Sequence, residues 1–401
     1  LSTAAERPRA VGVRGGTWRA LVDGTGTVIP QDGSAPLAWH VAGDDRWYSP
    51  SDEPTVRHKW YSGYPVAETR MRVGQGDIVQ RVWCVADLGG ITVVEFENET
   101  PAPVAVAVTR GDVLSTRPLG DNPPMGIDLP AGSHVLPLGH RATVRIGLSH
   151  ADPGPGRLPD DVPGHQQVVR GWETACDIAS RVTLADHTVV ASMNAARSRL
   201  LLGDTGDREP DGAAVIELVR LGETHRDSIL EVVDAVQARL RTEKRSRTLA
   251  WDTPHLLATA ARACVLVDDD TAAGDIGAAW LRLADRPVQE PPAVMPGGVA
   301  SVAWTESVLV RPSPSGGLCE VFPFGIPETW WGTSVDCRGL IGDPHRSLSF
   351  SVRWHGARPA LLWEVAGPAG LVLTGGSADG EWHTADSSGE ALLAAPVRSG
   401  A

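Results

Sequence analysis

The strongest constraint on how this chain can fold is a pair of alternating segments near its C-terminus. Residues 347–355 (SLSFSVRWH) and 360–366 (ALLWEVA) flank Gly356-Ala357-Arg358-Pro359. Successive side chains of a strand point to opposite faces. Leu348, Phe350, Val352 and Trp354 therefore share one face, and Ser349, Ser351, Arg353 and His355 the other. The spacing predicts a hairpin with a four-residue loop, His355 opposite Ala360 and Trp354 opposite Leu361. Leu361, Trp363 and Val365 then extend the apolar face, while Glu364 joins Arg353 on the polar one as its cross-strand partner.

The rest of the chain divides by the period of its hydrophobic pattern. Short β-rich runs at 69–73, 77–85, 90–98 and 104–110 are separated by Gly, Pro and Asp clusters, which predicts a β-sandwich for residues 1–164. The segment ADPGPGRLPDDVPG (151–164) reads as a linker. Helical stripes follow at Val169/Trp172/Cys176, Val189/Met193/Ala196/Leu200, 214–221, Ile229/Val233/Val236/Leu240, Leu257/Ala261/Cys264 and Ala273/Ile276/Trp280/Leu283. A short extended stretch, 181–186, interrupts them. Thr224-His225-Arg226-Asp227 reads as a capping box for the fourth helix. Thr253 before Pro254 reads as the N-cap of the fifth. Six helices joined by short loops predict antiparallel hairpins over residues 165–287. A second Pro/Gly linker spans 288–298, and a β-rich region closes the chain (288–401). The expected fold is a multidomain α+β protein with 44 Gly and 31 Pro punctuating its turns.

Composition limits the function classes. A net charge of −13 argues against nucleic acid or an anionic membrane as partner. No stretch is apolar for long enough to span a bilayer. The opening LSTAAERPRAVGVRGG lacks the apolar core of a secretory signal. Five cysteines, odd in number and widely spaced, form no C-x-x-C, so reduced thiols and a cytoplasmic location are expected. The Gly-rich phosphate motifs, H-E-x-x-H and G-x-S-x-G are all missing, so neither a cofactor nor a metal is expected.

Candidate chemistry lies in the carboxylates near tryptophans. Alternation over residues 301–310 predicts a strand with Glu306 on the side of Val302, Trp304 and Val308. Such a carboxylate is either paired with arginine or desolvated, as a general acid requires. Glu328 stands in GIPETWWG, whose Gly and Pro residues predict a loop. There Trp330 and Trp331 either receive a sugar ring beside a carboxylate or seal a domain junction. Asp336 is the candidate second member of an acid pair. Arg338 and His355 complete the expected ligand-binding set with Trp330 and Trp331, and His345 belongs to a turn. Trp39, Trp47, Trp60 and Tyr64, with Asp44, Asp45 and Arg46, form a second aromatic and polar cluster, which core packing explains equally well.

The order of β-sandwich, linker and helical hairpins resembles glycoside hydrolases of the glucoamylase and glucodextranase type. The residues that carry the likeness are Gln80-Arg81-Val82-Trp83, VVEFENETPAPVAVAV (Val93 to Val108) and the hairpins of 165–285. The resemblance implies a β-sandwich ahead of a reduced α/α toroid, and an α-glucan-like oligosaccharide, hydrolysed or merely bound. A non-catalytic scaffold that binds a glycan or a protein is the rival expectation, and no catalytic residue is carried over from the family.

Overall fold

The computed structural model describes residues 7–43, 46–118, 129, 132–152, 154–204, 211–223 and 228–397. The protein is mixed α and β and predominantly β. Seven α-helices occur among the described residues: α1 (His165–Cys176), α2 (His187–Leu201), α3 (Gly212–Arg220), α4 (Ser228–Glu243), α5 (Thr253–Leu266), α6 (Asp270–Leu281) and α7 (Ala300–Leu309). None of them is long and apolar enough to cross a membrane. The chain forms two compact units, Leu1–Glu173 with Leu201–Asp204, and Thr174–Leu200 with Thr205–Ala401.

In the first unit a seven-stranded sheet and a four-stranded sheet contribute to one core. The longer sheet is built around Ala67–Val73, Gly76–Val85, Ile91–Asn98 and Thr143–Ser149. Its alternate residues Met71, Ile78, Val82, Val94, Phe96 and Ile146 meet Trp39, Val41, Val106 and Leu136 of the shorter sheet. The strand Gly76–Val85 is buried on both faces, because Trp83 and Val85 enter a second cluster with Ile91, Val93 and Leu158. Its sequence accordingly places apolar residues on both faces, Ile78 and Val82 on one and Val79, Trp83 and Val85 on the other, with Gln80 and Arg81 between them.

A charged rung crosses that same sheet. Register places Lys59 opposite Glu68, Glu68 opposite Arg81, Arg81 opposite Glu95 and Glu95 opposite Arg145. The signs alternate over five neighbouring strands. The pairs close at 3.0 Å (Lys59 Nζ to Glu68 Oε1), 3.0 Å (Arg81 Nε to Glu68 Oε2), 3.1 Å (Arg81 to Glu95 Oε1) and 2.8 Å (Arg145 Nε to Glu95 Oε2). The Tyr61 hydroxyl donates to Glu68 at 2.5 Å. Burial pushes Tyr61 up to about 12. Burial acts in the same direction on Glu68, yet its donors Tyr61, Arg70 and Lys59 prevail and hold it at about 2.

In the second unit, the five-stranded sheet (Arg181–Leu184, Val335–Asp343, Arg346–His355, Arg358–Ala366, Ser388–Leu392) and a four-stranded sheet (Val310–Pro312, Leu318–Val321, Val372–Gly375, Asp379–Thr384) share a core with residues of α2 and α7. Helices α3 to α6 build a separate core that also takes in Ile341 of the long sheet. The hairpin segments and the C-terminal strands therefore belong to one unit.

The predicted stripes correspond to α1 to α6, and residues 181–186 contain the strand Arg181–Leu184. Residues 301–310 correct the strand expectation, since nearly all of them lie in α7. Val302, Thr305, Glu306 and Leu309 are buried at spacings of three and four, a stripe that a short apolar run satisfies as readily as alternation. The hairpin is also corrected, by two residues. His355 faces Arg358, Trp354 faces Pro359 and Val352 faces Leu361. Gly356, at φ +61°, makes a tight two-residue turn possible. A shift of two preserves both faces, so Leu348, Phe350, Val352, Leu361 and Trp363 are buried as expected. Glu364 instead stands opposite Ser349, and Arg353 pairs with Asp336. Asp252, not Thr253, occupies the N-cap of α5. The capping box at 224–227 and the pair Asp44-Asp45 lie outside the described residues.

The rung yields a pH-dependent prediction. The carboxyl of Glu68 has a folded-state pKa below its unfolded one, so its stabilisation is complete above the ordinary value of 4.5 and is lost as pH falls towards about 2. Glu68→Gln should cost about 3–5 kcal/mol at pH 7. The gap between wild-type and variant denaturation midpoints should narrow steadily through that acid window. A gap that stays constant with pH would remove the electrostatic account.

Candidate functional site

Four fully buried ionised side chains meet inside the second unit. Glu306 of α7 accepts from the Ser180 hydroxyl at 2.6 Å, from Arg197 of α2 at 3.0 Å and from Arg220 of α3 at 2.9 and 3.0 Å. Glu217 of α3 accepts from Arg197 Nε and from Arg220, each at 2.6 Å. Arg197 also donates to the Ser180 carbonyl at 2.5 Å. His255, in the first turn of α5, closes the group through Nε2, 2.9 Å from Glu306 Oε2, and is the one member that reaches solvent. Two arginines and two glutamates balance, with side-chain exposures of 3% or less. Burial alone would raise the Glu306 carboxyl, but Arg220, His255 and Arg197 hold it well below its usual range. A carboxylate kept ionised in this way anchors helices and is a poor proton donor.

The other sequence candidates fall in separate settings. Glu328 is exposed at the start of the 3-10 turn Glu328–Trp330. Trp330 is buried in the core of the second unit. Trp331, half-buried, packs on the same core and donates its indole N–H to the Ile326 carbonyl at 2.9 Å. Asp336 lies 2.8 Å from Arg353, with both side chains more than 40% exposed. Arg338 is exposed and stands opposite Arg181. His355 is exposed beside the hairpin turn. The structure therefore joins Trp330 and Trp331 through a common core. Among the described residues, Glu306, Glu328 and Asp336 share no hydrogen-bond or ion-pair partner.

A concave site that the sequence did not single out lies in the same unit. It is a cleft of about 270 Å³ between the loop after α6 and the strands Val310–Pro312 and Leu318–Val321. Leu249, Trp280, Leu283 and Val288 line it, with Pro287 and Pro312 among its prolines. Its charged members are Arg286, Arg311 and Glu320. Arg311 and Glu320 are direct cross-strand partners, and Arg311 Nε donates to Glu320 at 2.6 Å. The Arg311 guanidinium also lies 5.2 Å from the Phe324 ring centroid. Arg286 donates to the carbonyls of Glu243 and Ser246 at 2.7 and 3.0 Å, which fixes it against the end of α4. The only sequence signal for this cleft was the density of proline around its rim, since its walls come from segments far apart in the chain.

Among the described residues, no group of three or more His, Cys, Asp or Glu side chains could hold a metal ion. No protein-family model matches the sequence, and no curated protein matches it.

Buried and exposed candidates predict different costs. Glu306→Gln and Arg220→Met should each destabilise by about 3–5 kcal/mol, because either leaves a buried charge unpaired. Trp330→Ala should cost a similar ~3–5 kcal/mol through its lost core volume. Exposed Glu328→Gln should stay within about 0.5 kcal/mol. Urea denaturation of the four variants checks this ranking. A Glu306→Gln midpoint equal to wild type would show that the network does not hold the helices.

Proposed function

We propose that this protein binds a glycan in the cleft of its second unit and does not hydrolyse it. The observation that carries this reading is the makeup of the cleft, where an Arg311–Glu320 pair is set among apolar and proline surfaces. Sugars present apolar C–H faces and vicinal hydroxyls together. Proline and indole surfaces suit the former, while a charged pair rich in donors and acceptors suits the latter. At about 270 Å³ the cleft is near the lower end of the ~300–1,000 Å³ typical of ligand pockets, which fits the end of an oligosaccharide. Binding is favoured over hydrolysis because two of the three candidate acids are ion-paired and none of the three lines the cleft. Glu306 is held by two arginines, and Asp336 by Arg353.

The same reading takes the first unit as a β-sandwich and the helical hairpins as a reduced toroid, the organisation of the glucoamylase-type hydrolases that the sequence resembles. The shared core of the two sheets supports the sandwich. A cytoplasmic location is part of the proposal, supported by five buried free cysteines.

Calorimetric titration with an oligosaccharide panel, headed by an α-glucan-like probe, tests the reading. Wild type should bind at least one glycan and release no reducing ends. Arg311→Ala should weaken that binding about tenfold, the loss expected for one charge-assisted contact, with the fold intact by circular dichroism. Measurable turnover would overturn the non-catalytic assignment, and unchanged affinity in Arg311→Ala would remove the cleft.

A further inference from the structure

The charge of the cleft narrows its ligand further, given the glycan-binding reading above. We infer that the sugar it takes is acidic, a hexuronate whose single carboxylate is met by Arg286. Three charged side chains line the cleft, two positive and one negative, and its other lining residues are uncharged. Arg311 is neutralised within the cleft by Glu320 at 2.6 Å. Arg286 has no carboxylate partner among the described residues; its bonds are to two carbonyls, both made by Nη1. A guanidinium carries five N–H donors, so Nε and Nη2 remain for a ligand. Carbonyl anchoring also removes much of the side-chain freedom that an arginine otherwise loses on binding.

The excess of one positive charge selects among anions. A monoanionic carboxylate matches it and can engage the Nε and Nη2 edge in the two-pronged geometry that arginine prefers. A phosphate dianion would leave one negative charge uncompensated in the same cleft as Glu320, and like charges in a partly desolvated site repel strongly. The apolar walls, Trp280 and Leu283 among them, require a ligand with a C–H face rather than a bare anion. A uronic acid residue carries both features on one ring. Its hydroxyls would be left to Arg311 and Glu320.

The test is calorimetric titration of the full chain with a glucuronate-containing disaccharide, its neutral glucose counterpart, and benzoate as a simple carboxylate. The acidic disaccharide should bind about tenfold more tightly than the neutral one. That preference should shrink between about 20 mM and 500 mM salt as screening grows. Arg286→Gln should abolish the preference, so that acidic and neutral disaccharides bind the variant with equal affinity. Glu320→Gln, which touches neither anchoring carbonyl, should raise affinity for the acidic sugar several-fold and so carries the test even if Arg286→Gln perturbs the fold. Equal affinities for acidic and neutral sugar, unmoved by Arg286→Gln, would overturn the acidic assignment and leave glycan binding standing. Benzoate bound as tightly as the acidic disaccharide would reduce the cleft to an anion site and overturn the sugar component. Binding of neither sugar would bring down this inference and the glycan reading together.

Discussion

The second unit depends on a closed exchange of charge among Arg197, Glu217, Arg220 and Glu306. Each of these side chains is removed from water, and each would be strongly destabilising alone. Isolated ions in a protein interior cost several kcal/mol, and only well-made hydrogen bonds offset that cost. Here both carboxylates receive both guanidinium groups, and Ser180 supplies its hydroxyl and carbonyl besides. Such a cluster tolerates little displacement of any member. It therefore fixes the relative positions of α2, α3 and α7, and through His255 that of α5, more narrowly than apolar packing can. Alanine-rich helices such as α5 offer few large side chains with which to specify a unique neighbour, so polar specification complements a smooth apolar surface.

The first unit solves an equivalent problem in a sheet. Val, Ile and Phe on its inward face would tolerate several strand registers, since most neighbours are similar in size. The rung from Lys59 to Arg145 does not. Sliding Gly76–Val85 by two residues would set Glu68 opposite Val79 or Trp83 instead of Arg81, removing the buried cation that Glu68 shares with Glu95. Apolar burial drives the sheets together, and charge alternation selects the pairing.

What the sequence disclosed follows the range of each interaction. Strand runs and helical stripes are local, and they were legible at α1 to α6 and at the strands Ala67–Val73, Gly76–Val85, Ile91–Asn98 and Val104–Val108 of the first unit. Face assignment in the C-terminal hairpin was legible too, because it survives a two-residue slip. Its register depended on whether Arg358 and Pro359 belonged to the turn or the strand, and four turn-compatible residues do not decide that. Residues 301–310 misled because ten residues with apolar positions at both spacings fit either period. Glu306 drew notice as a carboxylate amid apolar neighbours. Its partners at positions 180, 197, 220 and 255 are contributed by other elements and no local pattern announces them. The cleft escaped for the same reason. Arg286 sits at the edge of one linker, Arg311 and Glu320 on facing strands beyond it, and nothing in their spacing marks them as neighbours.

The buried network and the cleft differ in how much of their charge is answered from within the protein. In the buried network the positive and negative charges are equal, and every carboxylate oxygen has donors from within the protein. Such a group has no capacity left for a ligand, which is why the most conspicuous charged cluster is a poor place to look for binding. The cleft differs in being both partly open and unbalanced. Its Arg311–Glu320 pair resembles the structural pairs elsewhere, but Arg286 is held in place by neutral carbonyls that fix its position without cancelling its charge. Carbonyl dipoles orient a guanidinium at a smaller cost to its electrostatic field than a carboxylate would. An arginine held in that way keeps its attraction for an anion while losing its mobility, and those are the two properties a recognition site requires.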